Sequence, residues 1–195
     1  DEGIRHISGT AKAPTHSGQY LVVGLGTGFN VCPVAQSEFA NPVCLQAELG
    51  HTMLPHNISS ILEQHIDAST FTTIEDLFSG KGLSNLYAAI SGGDVKGGKA
   101  IVQDHVENIN PMATKTVELI AQLLGLFTRD MANQYMPTAG IYFAGSVSRG
   151  LFGAGVTEIF IRALNAQDHF LEDMADAPVG LITDDAAGLL GCSNR

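Results

Sequence analysis

The hydrophobic pattern changes period along the chain, from strand-like in the first fifty residues to helical after them. Tyr20-Leu21-Val22-Val23 and Val31-Cys32-Pro33-Val34 are short runs rich in β-branched or aromatic residues, and each reads as a strand. Between them lies Gly24-Leu25-Gly26-Thr27-Gly28-Phe29-Asn30, whose glycines permit the positive φ values of a tight hairpin turn. Residues 1–18 are a polar lead-in with one strand near 3–7. Residues 36–42 read as a loop, and Val43-Cys44-Leu45 as a further strand, so the chain opens with an antiparallel meander. From there the spacing turns helical. Asn57 caps a helix with Ile58, Ile61, Leu62 and Ile66 on its apolar face, beside which His65 is expected to be partly buried. Thr72-x-x-Glu75 reads as a capping box opening a short helix with Leu77 and Phe78. Ser79-Gly80-Lys81-Gly82 breaks that turn, and Leu83, Leu86, Tyr87 and Ile90 begin a new helical face. An exposed glycine loop over 91–98 leads to a short helix over 100–107. Asn110-Pro111 opens the longest helix, to about residue 133, with Val117, Ile120, Leu124, Phe127 and Met131 on one side. Residues 139–145 are apolar without alternation, as buried parallel strands are. After Gly145-Ser146 a glycine-containing loop leads to a helix near 157–164. A strand over 178–183 follows, then a last short helix capped by Asp184 and carrying Ala187, Leu189 and Leu190.

Composition narrows the class. The chain has 195 residues, 45% of them hydrophobic, enough for one cored domain with at most a small appendage. Its net charge of −10 argues against a nucleic acid or an anionic membrane as partner, though not against one phosphorylated ligand held locally. Cys32, Cys44 and Cys192 form no C-x-x-C, so neither a zinc ribbon nor a disulfide framework is indicated, and a reducing compartment is expected. No apolar run reaches transmembrane length, and the start lacks the basic-then-apolar plan of a secretory leader.

Two stretches carry candidate chemistry. The glycine hairpin can turn successive backbone N–H groups toward one point, a nest for phosphate, with the Thr27 hydroxyl as a further donor. It is neither the G-x-G-x-x-G turn that opens a helix nor a Walker loop, which ends in Gly-Lys-Ser/Thr. The alternative is an ordinary glycine hairpin that binds nothing. In Glu48-Leu49-Gly50-His51 a carboxylate and an imidazole flank a glycine that lets the backbone bend, a set suited to neighbouring sugar hydroxyls. A solvated turn is the plain alternative. A metal held by Glu48, His51 and His56 is a third, without the helical ligand spacing that would support it.

Five segments, in order, resemble the bacterial glucokinases: the Gly-x-Gly-Thr-Gly hairpin, Glu48-x-Gly-His51, the run from Ser79 to Tyr87, Ala144-Gly145-Ser146, and the run from Asp184 to Gly191. The match extends from about residue 3 to the end. The resemblance implies an α/β, actin-like and hexokinase-type (ribonuclease H-like) fold, its large domain a mixed sheet opened by the meander and flanked by helices. It implies ATP-dependent phosphorylation of the glucose 6-hydroxyl with Mg²⁺ in glycolysis, in the cytoplasm. It implies glucose and ATP as partners, and a homodimer, with no nucleic acid and no membrane. By position it puts Gly26, Thr27 and Gly28 at the ATP phosphates, Thr27 positioning the transferred group. It puts Gly145 and Ser146 at the adenosine, and Glu48, His51 and Glu75 on the glucose hydroxyls, with no protein metal ligand. Leu49, Lys81 and Ser146 depart from the family's usual glycine, proline and glycine, and the zinc-binding cysteine cluster of the related repressor and kinase family is absent. A full glucokinase begins with a smaller domain carrying an Asp-x-Gly-Gly-Thr turn and an Asn-Asp pair whose aspartate is the general base. Residues 1–195, starting at Asp1, are therefore expected to be the large domain alone, inactive by itself. A kinase for another hexose, or a non-catalytic sugar-binding or regulatory module of the same fold, are the competing expectations.

Overall fold

Among the described residues one mixed sheet of six strands forms, in the order β1-β6-β5-β2-β3-β4. The computed structural model describes residues 3–10, 17–166 and 177–184. Strands β2 (Gly18–Leu25), β3 (Phe29–Ser37) and β4 (Ala40–Cys44) form the expected antiparallel meander. Strand β5 (Gly140–Ala144) joins parallel to β2 and to β6 (Val179–Ile182), and β1 (Ile4–Ser8) closes the far edge antiparallel to β6. Period-two burial in β2 and β3 sends Leu21, Val23, Leu25, Phe29 and Val31 into the core.

The helices follow β4. They are α1 (His56–Leu62), α2 (Ile74–Leu77), α3 (Gly80–Ser91), α4 (Gly98–Val106), α5 (Pro111–Tyr135), α6 (Ser146–Gly153) and α7 (Thr157–Leu164). Helix α5 is the spine. Asn110 accepts from the Met112 and Ala113 amides, Pro111 takes the first turn, and Val117, Ile120, Leu124, Phe127 and Met131 are all buried. Thr116 and Thr128 are fully buried in it yet satisfied, because each hydroxyl donates to the carbonyl four residues back.

Several expected details differ. Residues 36–42 are not a loop: β3 runs to Ser37 and β4 starts at Ala40, leaving a two-residue turn whose Phe39 is 95% exposed. Pro42 is accommodated because β4 is an edge strand. Residues 146–153, expected as loop, form α6. Its glycines do not break it, since Leu151 and Phe152 bury one face while Gly153 faces open space and a Cβ on Gly150 would only touch Val102, at 4.0 Å. Asn57 does not cap α1, which starts one residue earlier behind Pro55; its amide donates instead to Asp130 at 2.8 Å. His65 is exposed, because α1 ends at Leu62 and the helical spacing does not carry past it. Ser79 does not merely break a turn but caps α3, accepting from the Gly82 amide at 2.9 Å. The final helix expected after Asp184 lies outside the described residues.

The capping box is also shifted by one residue. Thr73 accepts from the Asp76 amide, and the Asp76 carboxylate accepts from the Thr73 amide at 2.8 Å and from the Thr72 hydroxyl at 2.9 Å. Glu75 is thereby released from the capping role. The Thr73 amide above all holds the Asp76 carboxyl below its ordinary value of 3.8, against a smaller upward push from burial, with the Thr73 and Thr72 hydroxyls adding to the lowering. A depressed folded-state pKa contributes stability above the unfolded value and loses it as pH falls through the folded one. Thr73→Ala should therefore cost about 1 kcal/mol at neutral pH. Asp76→Ala should lower Tm at pH 7, with the gap to the parent closing as pH falls below the ordinary carboxylate value; thermal melts between pH 7 and 3 check both.

Candidate functional site

The β2–β3 turn is held from below by one ring. Phe29 opens β3 opposite Leu25, only 3% exposed, with its centroid 6.0 Å from Phe78 and 5.7 Å from Phe127. Phe78 and Phe127 stack at 5.3 Å. Above this triad the tip closes on itself, with the Gly26 amide donating to the Gly28 carbonyl at 3.0 Å. The Gly26 carbonyl in turn accepts from the Gly80 amide at 2.8 Å, pinning the start of α3 to the tip. On the other flank the β5–α6 turn packs so close that a Cβ on Gly145 would stand 2.4 Å from the Leu25 carbonyl oxygen. Its φ of +108° is likewise open only to glycine.

A cavity of about 500 Å³ opens beside the tip. The tip contributes Gly26 and Thr27; α3 contributes Gly80 and Leu83; α4 contributes Gly98, Lys99, Val102 and Gln103; and α6 contributes Ser146, Val147 and Gly150. Helices α3, α4 and α6 thus all present their first turns to one space, where the positive dipole ends favour an anion. Helix α3 contributes its dipole end while its Gly80 and Gly82 amides are held by the Gly26 carbonyl and the Ser79 hydroxyl. Neither α4 nor α6 has a side-chain cap consuming its first-turn amides. Among the described residues on the lining Lys99 is the charged one, and none is a carboxylate. Of the sequence candidates, Gly26, Thr27 and Ser146 line this cavity; Gly145 supports it from behind, and Gly28 is turned toward Glu75. Sequence reading missed Lys99 and Gln103, whose signal was a Gly97-Gly98 pair just before a lysine at a helix start.

The other side of the same tip gathers the remaining candidates. Glu75, in the first turn of α2, accepts from the Phe29 amide at 2.8 Å. The Asn30 side chain donates to the Ala47 carbonyl and to Glu48, and accepts from the Leu49 and Val31 amides. Residues Leu49–His51 form a single 3-10 turn, in which Gly50 is buried so tightly that a Cβ would stand 2.1 Å from the Phe29 carbonyl oxygen. Glu48 and His51 are both exposed, two residues before and one residue after the buried Gly50. So Glu48, His51 and Glu75 are brought to one corner. His56 is not among them; it starts α1 and lies beside the Ser60 hydroxyl. Among the described residues no group of three or more His, Cys, Asp or Glu is arranged to hold a metal ion.

Residues 2–195 match the glucokinase family model. The chain belongs to the glucokinase family. The glucokinase of Brucella suis is 29% identical over 181 residues, covering 89% of this chain and 52% of its own length. The glucokinase of Pectobacterium atrosepticum is 30% identical over 182 residues, covering 87% and 55%. The chain thus spans about half the length of the curated relatives it matches. Among solved structures, a glucokinase from an Antarctic psychrotroph superposes with a TM-score of 0.76 at 21% identity, over 94% of this chain and 59% of that one. The glucokinase from Balamuthia mandrillaris in complex with glucose gives 0.73 at 18%, over 94% and 55%. A ROK family glucokinase from Streptomyces griseus in complex with glucose and AMPPNP gives 0.58 at 19%, over 93% and 61%. The fold is the actin-like ATPase fold of these sugar kinases.

The Glu75–Phe29 bond makes a testable claim on the family's hairpin. Glu75→Ala removes a charged acceptor from a part-buried amide and should cost about 1.5–3 kcal/mol. Glu75→Gln keeps an acceptor oxygen and should cost clearly less. Urea denaturation measures both, and amide exchange at Phe29 should accelerate only in the alanine variant.

Proposed function

We propose that this chain forms one wall of a sugar-kinase cleft, which passes the γ-phosphoryl group of ATP to the 6-hydroxyl of glucose. The observation that carries the proposal is the convergence of three helix N-termini and Lys99 on one cavity with no carboxylate among its described lining residues, in a chain whose net charge is −10. In so acidic a protein, a space with no carboxylate among its described lining residues is arranged for an anion. The apolar lining from Leu83, Val102 and Val147 suits the base of a nucleotide, with Ser146 beside the adenosine. The Thr27 hydroxyl and the amides of Thr27 and Gly28 face the phosphates, the Gly26 amide being already used within the turn. These are fixed donors aimed where charge develops during transfer. On the opposite side of the tip, Glu48, His51 and Glu75 take sugar hydroxyls. Glucose and AMPPNP in solved structures of like fold support both assignments.

The cavity lining offers Mg²⁺ no carboxylate, so the described residues do not fit a dedicated site for the ion. The general base belongs, on this reading, to a separate smaller domain, and residues 1–195 are the large domain. Homodimer assembly in the cytoplasm is part of the same proposal. A kinase for another hexose remains the second reading, favoured by the exposure of Glu48 and His51, which engage hydroxyls that several sugars share.

Calorimetric titration of AMPPNP into the 195-residue chain tests the nucleotide assignment. Binding should be measurable, weakened about three- to tenfold by Lys99→Ala and abolished by Val147→Trp, which fills the cavity. No binding at millimolar AMPPNP, or full binding by Val147→Trp, would refute it. In a coupled assay the same chain should show no turnover approaching the roughly 1–100 per second of kinases; such turnover would overturn the divided cleft.

A further inference from the structure

We propose that Asn30 is a positioning residue: its amide sets the Glu48 carboxylate and ties the Ala47-Glu48-Leu49 segment to the start of β3. The proposal rests on the reading of Glu48 as a sugar contact. An asparagine amide carries two N–H donors and an oxygen with two acceptor lone pairs. Asn30 uses all of them on its own corner. Nδ2 donates to the Ala47 carbonyl at 2.6 Å and to Glu48 Oε2 at 3.1 Å; Oδ1 accepts from the Val31 amide at 2.8 Å and the Leu49 amide at 3.1 Å.

No other short side chain fills this place. Aspartate has no donor and would set an anionic oxygen against both Ala47 and Glu48. Serine has one donor and a shorter reach, and glutamine is a methylene too long for the same four bonds. The Asn30 backbone is itself fixed, paired with Gly24 in the β2–β3 ladder two residues beyond Gly28. Glu48 is exposed, and the Asn30 amide is the contact that selects one orientation for a carboxylate otherwise turning about three torsions.

The neighbouring residue repeats the device with its main chain, since the Phe29 amide holds Glu75. Two consecutive residues therefore hold the two acids, one by side chain and one by backbone. Thr27 stands two residues before the first of them. The distance between the phosphate donors and the sugar acids is thus set within a stretch of four residues.

The first test needs no ligand. In NMR spectra of the 195-residue chain, both Asn30 side-chain N–H protons should exchange more slowly than those of exposed Asn85. In Glu48→Ala one of the two should lose protection, while the Leu49 amide stays protected. If Glu48→Ala moves neither Asn30 resonance, the proposal is overturned. The second test is glucose titration followed by amide shifts. Asn30→Ala should weaken glucose binding about five- to tenfold, and Asn30→Asp more, with less than twofold effect of either in a Glu48→Ala background. Equal losses in both backgrounds would show that Asn30 does not act through Glu48 and would overturn the proposal. Should Asn30→Ala fail to fold, the Glu48→Ala spectra still decide it. If the parent chain binds no glucose, the sugar reading of Glu48 fails, and the clamp itself stands or falls on the Asn30 resonances.

Discussion

The burial of the Phe29 ring is the contact on which the rest of the site depends. Removing a buried phenylalanine side chain typically costs about 3–5 kcal/mol, so the ring anchors the strand end against Phe78 and Phe127 far more firmly than any hydrogen bond at the tip. Strand alternation does the rest. With Phe29 inward, its neighbours Gly28 and Asn30 face outward on either side of it, and its own amide and carbonyl are left at the surface of the core. The amide meets Glu75 and the carbonyl meets Gly50. One apolar contact thus determines where two polar segments, distant in sequence, have to stop.

Charge follows from the helices rather than from composition. Net charge sets long-range behaviour, whereas binding responds to the field at the site. Helix α5 supports that field indirectly. It packs against α3, α4 and α7, and it carries Phe127 under the hairpin. Its rigidity keeps the first turns of α3 and α4 beside the tip, while β5 delivers the first turn of α6 from the sheet. His105 adds a tie between two of the walls, lying on α4 with its ring nitrogens beside the Thr114 hydroxyl and the Ala154 carbonyl at the end of α6.

Much of this was legible in the sequence, where a single signal acted alone. The hairpin, the long helix behind Asn110-Pro111, and the unalternating strand near 140 were each announced by one strong local pattern, and each stands within a residue or two of its expected place. Errors fell where two signals competed. Thr72 and Thr73 both precede an acid by three, and only backbone geometry picked Thr73 with Asp76. Gly150 and Gly153 spoke for a loop, while the burial of Leu151 and Phe152 overrode them. Asn57 had cap chemistry, but Pro55 fixed the start of α1 one residue earlier. Helix α4 was legible but its place on the cavity was not, and the bonds of Asn30 left no trace in the spacing. They depend on contacts between segments that no local spacing encodes.

On the proposed reading of the corner as a sugar site, Glu75 bears on how sugar preference in such a protein could drift. Its carboxylate already serves the architecture, because the Phe29 amide relies on it. A substitution there changes the foundation of the turn together with whatever the acid recognises, so selection cannot tune the second without taxing the first. Glu48 and His51 are under no such double duty, being exposed and joined to the frame through a neighbour's amide or a single turn. The corner therefore divides into an immobile acid and two adaptable residues. Inherited variation in ligand choice should accumulate at the adaptable pair, with the carboxylate at position 75 left unchanged.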